Sequence, residues 1–495
     1  MKIFRIPLVI VLVVLAGRTL HASAQAQYNL LHQFGSSRND GVEPFGSLML
    51  SGSTLYGMTA NGGTNGYGDG VIFQISTNGT GYTILHQFGS TPSDGTGPEG
   101  DLTLSGSTLY GMTSSGGTNP FIFNGITNSA GVIGAGVIFQ ISTDGTGYTI
   151  LHQFGSSPSD GEQPLGSLTL SGSTLYGMTY DGGTNGYGEG VIFQISTNGT
   201  GYTILHQFGS SPSDGARPTG DLTLSGSTLY GMTYDGGTNG YGYGVIFQIS
   251  TNGTGYTILY QFSGYPSDGQ HPYGSLLLSR TMLYGMTDFG GTNDDGVIFQ
   301  ISTNGAGYAF LHQFGSIPND GADPYGSLML SGSTLYGTTS AGGANTEGLI
   351  FQISTNGSGY TILYQFGSVP DDGWWPIGSL TLSGSTLYGM TYKGGTNEDG
   401  VIFSLGGVVP PPPALALQIT SITQTGNSIA ISWTTGGTGS TNELQATAGT
   451  VNGGYATNNF ATVFAVTNVV GLSTNYTDVG GATNQPARYY RVASP

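Results

Sequence analysis

The chain has 495 residues, of which 90 are Gly and none is Cys, and 27 acidic against 9 basic residues give it a net charge of −18. Irregular Gly clusters exclude a collagen triple helix, a charged fraction of 7% argues against coiled coils, and the lack of Cys excludes disulfides and thiolate chemistry. A long all-β protein remains, and its acidity disfavours nucleic acid and anionic membranes as partners.

The N-terminal 26 residues have the pattern of a signal peptide. Lys2 and Arg5 precede an apolar run from Ile6 to Ala16, and two Ala-x-Ala cleavage patterns follow. This run is too short to span a bilayer, and no later stretch is apolar enough, so we expect no membrane span in the mature chain. The sequence predicts a secreted protein, extracellular or on the cell surface, with the periplasm as an alternative. Removal of residues 1–26 leaves 6 basic and 27 acidic residues, a net charge of −21.

Tandem repeats dominate the sequence after the signal peptide. The phrase His/Tyr-Gln-Phe recurs at a period of about 53 residues, with its first residue at His32, His86, His152, His206, Tyr260, His312 and Tyr364. One interval is longer because of an insertion around Asn119 to Ala135. Each period holds four strand-like runs, in the second repeat Asp101–Ser105, Thr108–Thr113, Gly136–Ser142 and Tyr148–Phe154. Short sheets that are apolar on both faces are typical of blades stacked around an axis.

The order of the repeats predicts a closed ring. Seven copies of each strand type occur, but the fourth type comes first, at Tyr28–Phe34, and the third type comes last, at Val401–Leu405. We therefore predict an all-β fold with a seven-bladed β-propeller over residues 28–405 and a 3+1 strand closure, in which the first strand of the chain completes the last blade. An open β-solenoid is the alternative. Within the second strands we expect a neighbouring backbone to approach a Gly, at Gly57, Gly111, Gly177 and Gly231.

The repeat text resembles a known family. Its phrases are Tyr-Thr-Ile-Leu-His-Gln-Phe, Gly-Ser-Leu-Thr-Leu-Ser-Gly-Ser-Thr-Leu-Tyr-Gly-Met-Thr, Gly-Gly-Thr-Asn and Gly-Val-Ile-Phe-Gln-Ile-Ser-Thr. Together they are similar to the GloVer (Gloeo/Verruco) tandem repeat of exported bacterial proteins. The resemblance covers about three quarters of the chain and implies export and attachment to the cell surface. It implies no established activity and no catalytic residues.

A Gly/Pro linker, residues 406–413, separates the repeats from a second domain, residues 414–495. That domain contains short strand-like runs, at Leu417–Ile422, Ser428–Trp433, Glu443–Ala448, Phe460–Thr467 and Arg488–Val492. Trp433 and the late Tyr-Tyr-Arg-Val phrase resemble a fibronectin type III-like β-sandwich, either incomplete or variant. Such modules act as spacers or adhesive units.

The acidic residues concentrate in the long connections between strands. In a four-stranded blade the fourth-to-first and second-to-third connections lie on one face, and 24 of the 25 acids in residues 28–405 fall there or at the start of the first strand. The most regular are each followed by Gly, with Pro three positions after that Gly: Asp40, Asp94, Asp160, Asp214, Asp268, Asp320 and Asp372. The favoured role is an Asx-turn in which the Gly takes a positive φ. The alternative is binding of Ca²⁺ or another hard cation, the one cofactor that the sequence suggests.

Polar and aromatic residues in the same loops form a candidate glycan site. They could hydrogen-bond to a sugar and stack on its C–H faces, and they are Trp374, Trp375, Tyr67, Tyr187, Tyr241, Asn65, Asn185 and Asn239. Turn formation by the Thr-Asn pairs is the competing interpretation. His32 and its equivalents are interpreted as bulky packing residues rather than metal ligands, because Tyr260 and Tyr364 replace them in two repeats.

These features favour a non-catalytic exported recognition or surface protein, a monomer whose acidic loop face binds a polysaccharide, a cation or a surface protein. The alternatives are a polysaccharide hydrolase or lyase that uses two loop carboxylates, and a structural envelope component. Against an enzyme stands the uniformity of the repeats, since an active site requires an asymmetric arrangement of a few residues.

Overall fold

The computed structural model of the chain describes residues 27–64, 69–119, 122–123, 126–127, 134–185, 188–238, 242–408, 419–425, 428–434, 442–448, 461–466, 473–478 and 488–493. The predicted signal peptide, most of the insertion and most of the linker lie outside these ranges. The described residues contain strands and turns but no helix, and hence no helical segment there could cross a membrane.

In the described part of the chain, seven four-stranded antiparallel sheets form a seven-bladed β-propeller, as predicted. Blades 1 to 7 are numbered by their first strands, which are Met49–Ser51, Thr103–Ser105, Thr169–Ser171, Thr223–Ser225, Leu277–Ser279, Met329–Ser331 and Thr381–Ser383. The second strands are Thr54–Thr59, Thr108–Thr113, Thr174–Thr179, Thr228–Thr233, Met282–Thr287, Thr334–Thr339 and Thr386–Thr391. The third are Val71–Ser76, Val137–Ser142, Val191–Ser196, Val245–Ser250, Val297–Ser302, Leu349–Ser354 and Val401–Gly406. The fourth are Thr83–Gln87, Thr149–Gln153, Thr203–Gln207, Thr257–Gln261, Ala309–Gln313, Thr361–Gln365 and, in blade 7, the N-terminal Gln27–Gln33.

Two tight turns hold each blade together. The Ser-Gly-Ser turn between the first and second strands of blade 1 needs a positive φ, which Gly52 supplies at 60° with open space around it. The Thr-Asn-Gly turn between the third and fourth strands uses Gly79 at a φ of 82° in the same way. Because these turns are minimal, the long connections all emerge on the opposite face, here called the loop face.

Hydrophobic clusters join each blade to the next. In the described residues there are seven of them, and each contains residues of two neighbouring blades. Phe73 and Ile75 of blade 1, for example, pack in one cluster with Tyr388 and Met390 of blade 7. Second and third strands are buried on both faces, which is why they are almost uninterruptedly apolar.

The Gly within each second strand makes room for a side chain, which corrects the prediction of an approaching backbone. A Cβ on Gly57 would lie 2.5 Å from Cζ of Phe73, and one on Gly111 would lie 2.4 Å from Cζ of Phe139. Gly177 and Gly231 meet the equivalent Phe rings in the same way. A fully buried ring thus occupies the space above each of these glycines.

Two closed circles of contacts surround the propeller axis. In the first, a Cβ on Gly46 would lie 2.4 Å from the carbonyl oxygen of Gly100, and the pattern continues around the ring until Gly378 meets the carbonyl of Gly46. The second circle consists of the residue after each of these glycines. Each donates its backbone N–H to a side-chain oxygen of the equivalent residue in the next blade. The members of this circle are Ser47, Asp101, Ser167, Asp221, Ser275, Ser327 and Ser379. First strands therefore surround a narrow central channel.

Short strands and the C-terminal sheets complete the described structure. Two-residue strands pair on the loop face, at Gly41–Val42 with Asn61–Gly62, Gly95–Thr96 with Ser115–Gly116, Gly161–Glu162 with Asp181–Gly182, Gly215–Ala216 with Asp235–Gly236, Gly269–Gln270 with Phe289–Gly290, and Gly321–Ala322 with Ala341–Gly342. The insertion contains a pair, Ile122–Phe123 with Ile126–Thr127.

After the propeller, one sheet joins Ile419–Thr425, Ser428–Thr434 and Ser473–Asp478, and a second joins Ala461–Val466, Asn442–Ala448 and Arg488–Ala493. The strand Ser473–Asp478 is absent from the sequence prediction.

Candidate functional site

Seven equivalent aspartates, here called the framework aspartates, are buried at the outer part of the loop face. They are Asp40, Asp94, Asp160, Asp214, Asp268, Asp320 and Asp372, and their exposed fractions are 2–6%. Asp40 shows the arrangement: its carboxylate accepts from the backbone N–H of Ser36 at 3.1 Å and Gly41 at 2.9 Å, from Nε2 of His32 at 3.2 Å and from the hydroxyl of Tyr82 at 2.7 Å. Because Tyr82 belongs to the next blade, this node joins the outer strands of two blades.

The residue at the His position donates to the framework aspartate, a role that the sequence analysis missed. The ring of His32 stacks on Tyr82 with centroids 3.7 Å apart, so the predicted packing role is present as well. Where Tyr replaces His, the phenol donates instead: the hydroxyl of Tyr260 lies 2.8 Å from Asp268, and that of Tyr364 lies 2.6 Å from Asp372. The exchange of His for Tyr, the two ring side chains that can donate here, was the available signal.

The framework aspartates were also the predicted calcium ligands. Burial alone would raise the pKa of Asp40, but hydrogen bonds from His32, Tyr82 and Ser36 outweigh it and hold that pKa below its ordinary value. Their oxygens thus already have protein donors. Among the described residues, no group of three or more His, Asp or Glu side chains is placed to hold a metal ion. The calcium prediction itself stays untested.

The prediction that the Gly after each framework aspartate has a positive φ is wrong for all blades but one. The Gly after the framework aspartate has a positive φ in blade 7 only, at Gly373. Elsewhere it lacks a Cβ because a Thr is too close: a Cβ on Gly41 would lie 2.5 Å from Oγ1 of Thr59. The positive φ falls instead on the third residue after the aspartate, at Glu43, Gly97, Gln163, Arg217, His271, Asp323 and Trp375. That residue donates its N–H to the preceding blade, as Glu43 does to the carbonyl of Asp399.

Positions that differ among the repeats converge around the axis on the loop face. The fifth residue after each framework aspartate lines the opening of the central channel, here called the axial mouth: Phe45, Glu99, Leu165, Thr219, Tyr273, Tyr325 and Ile377. The residue after each second strand also varies, and its N–H binds the carbonyl of the positive-φ residue, as in Asp288 with His271. An almost constant scaffold therefore presents a variable surface on one face.

Aromatic rings form one side of the axial mouth. The ring of Tyr273 lies 4.8 Å from that of Tyr325, 6.3 Å from Phe45 of blade 1 and 6.2 Å from Tyr234 of blade 4, measured between centroids. Tyr234 in turn stacks on His271 at 4.5 Å. The channel below has a volume of about 60 Å³, far less than the roughly 300 Å³ of small ligand pockets. A ligand would therefore lie on these rings rather than below them.

Basic side chains beside the axial mouth are paired with acids. Arg217 contacts Glu189 at 3.5 Å and Asp235 at 3.3 Å, and Nδ1 of His271 lies 3.3 Å from the same Asp235. Lys393 pairs with Glu43 on the other side of the mouth. These bridges are half-exposed, so each contributes modestly to stability but removes a free cation from the surface.

Other acids at the mouth have no cation within ion-pair distance in the described part of the chain. Burial and the nearby charge of Asp323 raise the pKa of Asp288 to about 8, and its Oδ1 is buried without a hydrogen-bond partner. Burial also raises the pKa of Glu99 and, with Glu189 adding to it, raises that of Asp181 to about 6 despite the opposing charge of Arg217. At physiological pH each of these carboxyl groups is therefore either a charged group shielded from water or a protonated, neutral acid.

The Trp pair forms a second aromatic surface, on blade 7, which borders the axial mouth where the ring of Tyr392 lies 6.1 Å from that of Phe45. Trp375 is 42% exposed, its ring contacts Trp374 at 4.6 Å, and it lies parallel to Tyr392 at 6.5 Å. Nε1 of Trp374 donates to Glu398 at 3.3 Å. An exposed aromatic face bordered by polar groups can stack on the C–H face of a sugar.

The remaining predicted ligand residues divide into two groups. The amide of Asn185 donates to the carbonyl of Gln207 at 3.0 Å, which supports its turn-forming interpretation. The others lie outside the described residues: Asn65, Tyr67, Tyr187, Asn239 and Tyr241.

Comparisons with known proteins concern the repeats and the fold. The model of the Gloeobacter/Verrucomicrobia repeat family matches residues 122–266 and 240–464. No curated protein matches the sequence. Among solved structures, the GH74 xyloglucanase from Xanthomonas campestris is 11% identical, with 83% of this chain and 59% of that chain covered and a TM-score of 0.47. The oligogalacturonate lyase from Vibrio parahaemolyticus is 10% identical, with 78% and 94% covered and a TM-score of 0.43. The β-propeller domain of the Trilobed protease from Pyrococcus furiosus is 7% identical, with 76% and 99% covered and a TM-score of 0.40.

Proposed function

The chain belongs to the Gloeobacter/Verrucomicrobia repeat family, and from that premise we propose that it is an exported, non-catalytic recognition protein whose loop face binds a polysaccharide. The signal-peptide pattern at residues 1–26 supports export. Lack of catalysis is supported by the framework aspartates, since these most regular acids hold blades together and have their oxygens occupied.

One observation carries the polysaccharide proposal: Trp375 is exposed beside Trp374 and Tyr392 on the variable face. Large exposed aromatic side chains are costly to solvate and are enriched in binding sites. Lys393, Glu43 and Glu398 surround the rings with donors and acceptors for sugar hydroxyls. Position 375 carries Trp in no other blade, so the site is unique to one part of the ring.

The test is a glycan array followed by titration of the strongest polysaccharide. We expect Trp375→Ala to weaken binding about tenfold, the effect of one lost stacking contact, and Trp375→Phe to keep most of it. Ile317→Ala is the control, because Ile317 is 45% exposed on a different blade. Equal binding by all three variants would show that the surface formed by Trp374, Trp375 and Tyr392 is not the binding site. If no glycan on the array binds, the proposal is rejected.

A polysaccharide hydrolase or lyase is the second candidate, and the raised pKa values of Asp181 and Asp288 favour it because a general acid must be protonated at working pH. Reducing-sugar release from the bound polysaccharide separates the two. Turnover that disappears in Asp288→Asn would establish the enzyme, whereas binding without turnover supports recognition.

Further parts of the proposal concern assembly. We propose that the N-terminal strand closes the propeller in a 3+1 arrangement, supported by its pairing with Val401–Gly406 in blade 7. The two C-terminal sheets, with fully buried Ile431 in one and Leu444 in the other, support a fibronectin type III-like β-sandwich. We expect a monomer.

Ca²⁺ remains a second ligand class for the loop face, and calorimetric titration of the mature protein with Ca²⁺ tests it.

A further inference from the structure

The axial mouth combines aromatic faces with uncompensated acids. Phe45, Tyr273 and Tyr325 are half-buried, and they line the channel opening together with Glu99. Aromatic faces carry a negative quadrupole that attracts cations within about 6 Å of the ring centroid. Burial raises the pKa of Tyr273, and the negative charges of Glu99 and Asp288 raise it further.

In the described loop face, each basic side chain near these acids is already paired with another carboxylate, and His271, whose charge also acts on Asp288, lies 3.3 Å from Asp235. Arg217 and Lys393 are held in ion pairs with other carboxylates. Arg280 lies in a short turn on the opposite face, and Arg38 lies in an exposed outer loop. The mouth therefore presents the negative faces of its rings beside carboxyl groups that a nearby cation would favour in their ionised form.

Asp288 supplies an independent observation that points to a cationic ligand. Its side chain is 1% exposed, Oδ1 has no hydrogen-bond partner, and the carboxyl interacts with the hydroxyl of Tyr325 at the mouth. In blades 2 and 6 the equivalent residues are Ser114 and Ser340, whose hydroxyls donate to the local carbonyl at 2.8 and 2.9 Å. A carboxylate cannot donate in that way, so this position is costly unless it is protonated or offset by a positive charge.

We propose that the axial mouth binds an organic ammonium group, held over the rings of Phe45, Tyr273 and Tyr325 and neutralised by Glu99 and Asp288. The group is a primary or quaternary ammonium on a small molecule or a polymer. An anion would meet the same carboxyls with the wrong sign. A neutral ligand would leave them uncompensated, and the channel volume of about 60 Å³ excludes deeper burial of a sugar ring. This site borders the aromatic surface of Trp374, Trp375 and Tyr392, since the ring centroids of Tyr392 and Phe45 lie 6.1 Å apart. Its rings and carboxyls are different residues, so it does not depend on the polysaccharide proposal.

Binding of a cation must also move protons. Burial and the charge of Asp323 raise the pKa of Asp288 to about 8 against the opposing effects of the His271 charge and the Tyr325 hydrogen bond, so Asp288 is largely protonated at pH 7. A nearby ammonium favours its ionised form. Ammonium binding at pH 7 therefore releases a proton to the buffer. A neutral ligand on the same rings would release none.

The test is calorimetric titration of the full mature chain with three probes: choline, n-butylamine and 3,3-dimethylbutan-1-ol, the neutral isostere of choline. We expect both cations to bind, and the isostere to bind at least about tenfold more weakly. Titration in buffers of different ionisation enthalpy should show proton release for the cations. Equal affinity for choline and its isostere, or no binding of either cation at millimolar concentration, would overturn the proposal.

Matched variants assign the site. Glu99→Gln and Tyr273→Leu should each weaken choline binding about fivefold to tenfold, whereas Tyr273→Phe keeps the ring and the affinity. Asp288→Asn should abolish the proton release. Glu347→Gln is the control, because its side chain lies at the outer loop near Gly367 and away from the mouth. Thermal melting identifies any variant that fails to fold. Folded Glu99→Gln and Asp288→Asn proteins with unchanged affinity and proton release would reject the assignment.

Discussion

Asp320 illustrates how one residue type serves two purposes in this protein, depending on its donors. At the framework positions, buried carboxylates accept several hydrogen bonds and join neighbouring blades. At the axial mouth, Asp288 has almost none and has its pKa raised by burial. The repeated aspartates therefore have their oxygens engaged by protein donors, whereas Oδ1 of Asp288, a carboxyl that occurs in one blade only, has no such donor.

At position 312 the hydrogen bond donated to Asp320 matters more than which ring donates it. We expect His312→Tyr to be tolerated, because Tyr260 and Tyr364 already make the same contact, with hydroxyl-to-carboxylate distances of 2.8 and 2.6 Å. His312→Leu keeps volume but leaves Asp320 short of a donor, and should cost about 1–3 kcal/mol of unfolding free energy. Urea denaturation measures both. Equal stability of the Leu and Tyr variants would show that packing alone explains the position.

Gly57 should not tolerate a methyl group. In Gly57→Ala the new Cβ would lie 2.5 Å from Cζ of the buried Phe73 ring, and overpacking of this kind costs about 1–3 kcal/mol. Gly406→Ala is the matched control, since its nearest neighbour would be 3.8 Å away. Thermal melting of the two variants decides; an unaffected Gly57→Ala protein would mean that the ring moves freely.

At the scale of elements, the first strands meet the axis through a circle of hydrogen bonds with two exceptional members. Five positions are Ser, but Asp101 and Asp221 place carboxylates in the narrow channel. Burial, and then the charge of Asp221, raise the pKa of Asp101 above its ordinary value of 3.8. The circle therefore contains two buried ionisable groups.

Asp101→Ser should stabilise the propeller at neutral pH. A carboxyl with a raised pKa in the folded state destabilises once it ionises, so the penalty grows as the pH rises above 3.8 and disappears below it. We expect a gain of about 1–2 kcal/mol at pH 7.5 and a smaller one at pH 4. The reverse change, Ser275→Asp, should lose stability at pH 7.5. Urea denaturation at both pH values checks the pair, and a gain independent of pH would contradict the electrostatic cause.

The sequence allowed the strands and their order to be predicted because apolar, β-branched runs and tight turns are local signals. Thr108–Thr113 was predicted with its observed bounds. The bulge in each fourth strand, as between Leu30 and His32, was not, since it depends on pairing with the third strand. Likewise, the donor role of His32 and the convergence of Phe45 with Tyr273 join residues far apart in the chain, so periodicity alone could not reveal them.

For the whole molecule, the two kinds of carboxyl predict a stability maximum in mildly acidic solution. Asp181 and Asp288 have pKa values raised to about 6 and about 8, so their penalty decreases as the pH falls from 8 towards 3.8. Five framework aspartates, Asp40, Asp94, Asp160, Asp214 and Asp320, have lowered pKa values, and their contribution to stability is lost as the pH falls through the folded pKa, below 3.8. Melting temperature from pH 8.5 to 2.5 should rise and then fall. A steady decline from neutral pH would contradict this.

The proposed 3+1 closure predicts that the ends of the propeller depend on each other. Removal of residues 27–34 exposes the edge of Val401–Gly406 and removes the fully buried Phe34 together with Tyr28, which stacks on Tyr364 at 4.4 Å and donates to the carbonyl of Asp372. We expect a lower melting temperature and restoration by a synthetic peptide of residues 27–34. A peptide with Tyr28 and Phe34 replaced by Ala is the control. An unchanged melting temperature after deletion would reject the closure.

The near-constant scaffold has an evolutionary consequence. Every blade meets its neighbours through the same Gly contacts, the same His or Tyr stacking and the same buried Phe. Replacing one blade of this chain by another would therefore preserve the contacts between blades. Genetic exchange between repeats would replace the few residues that each blade contributes to the axial mouth and leave the fold intact. Gain or loss of a whole repeat would instead break the sevenfold circle of Gly contacts. Recombination within this one gene can therefore generate new binding surfaces while conserving blade number.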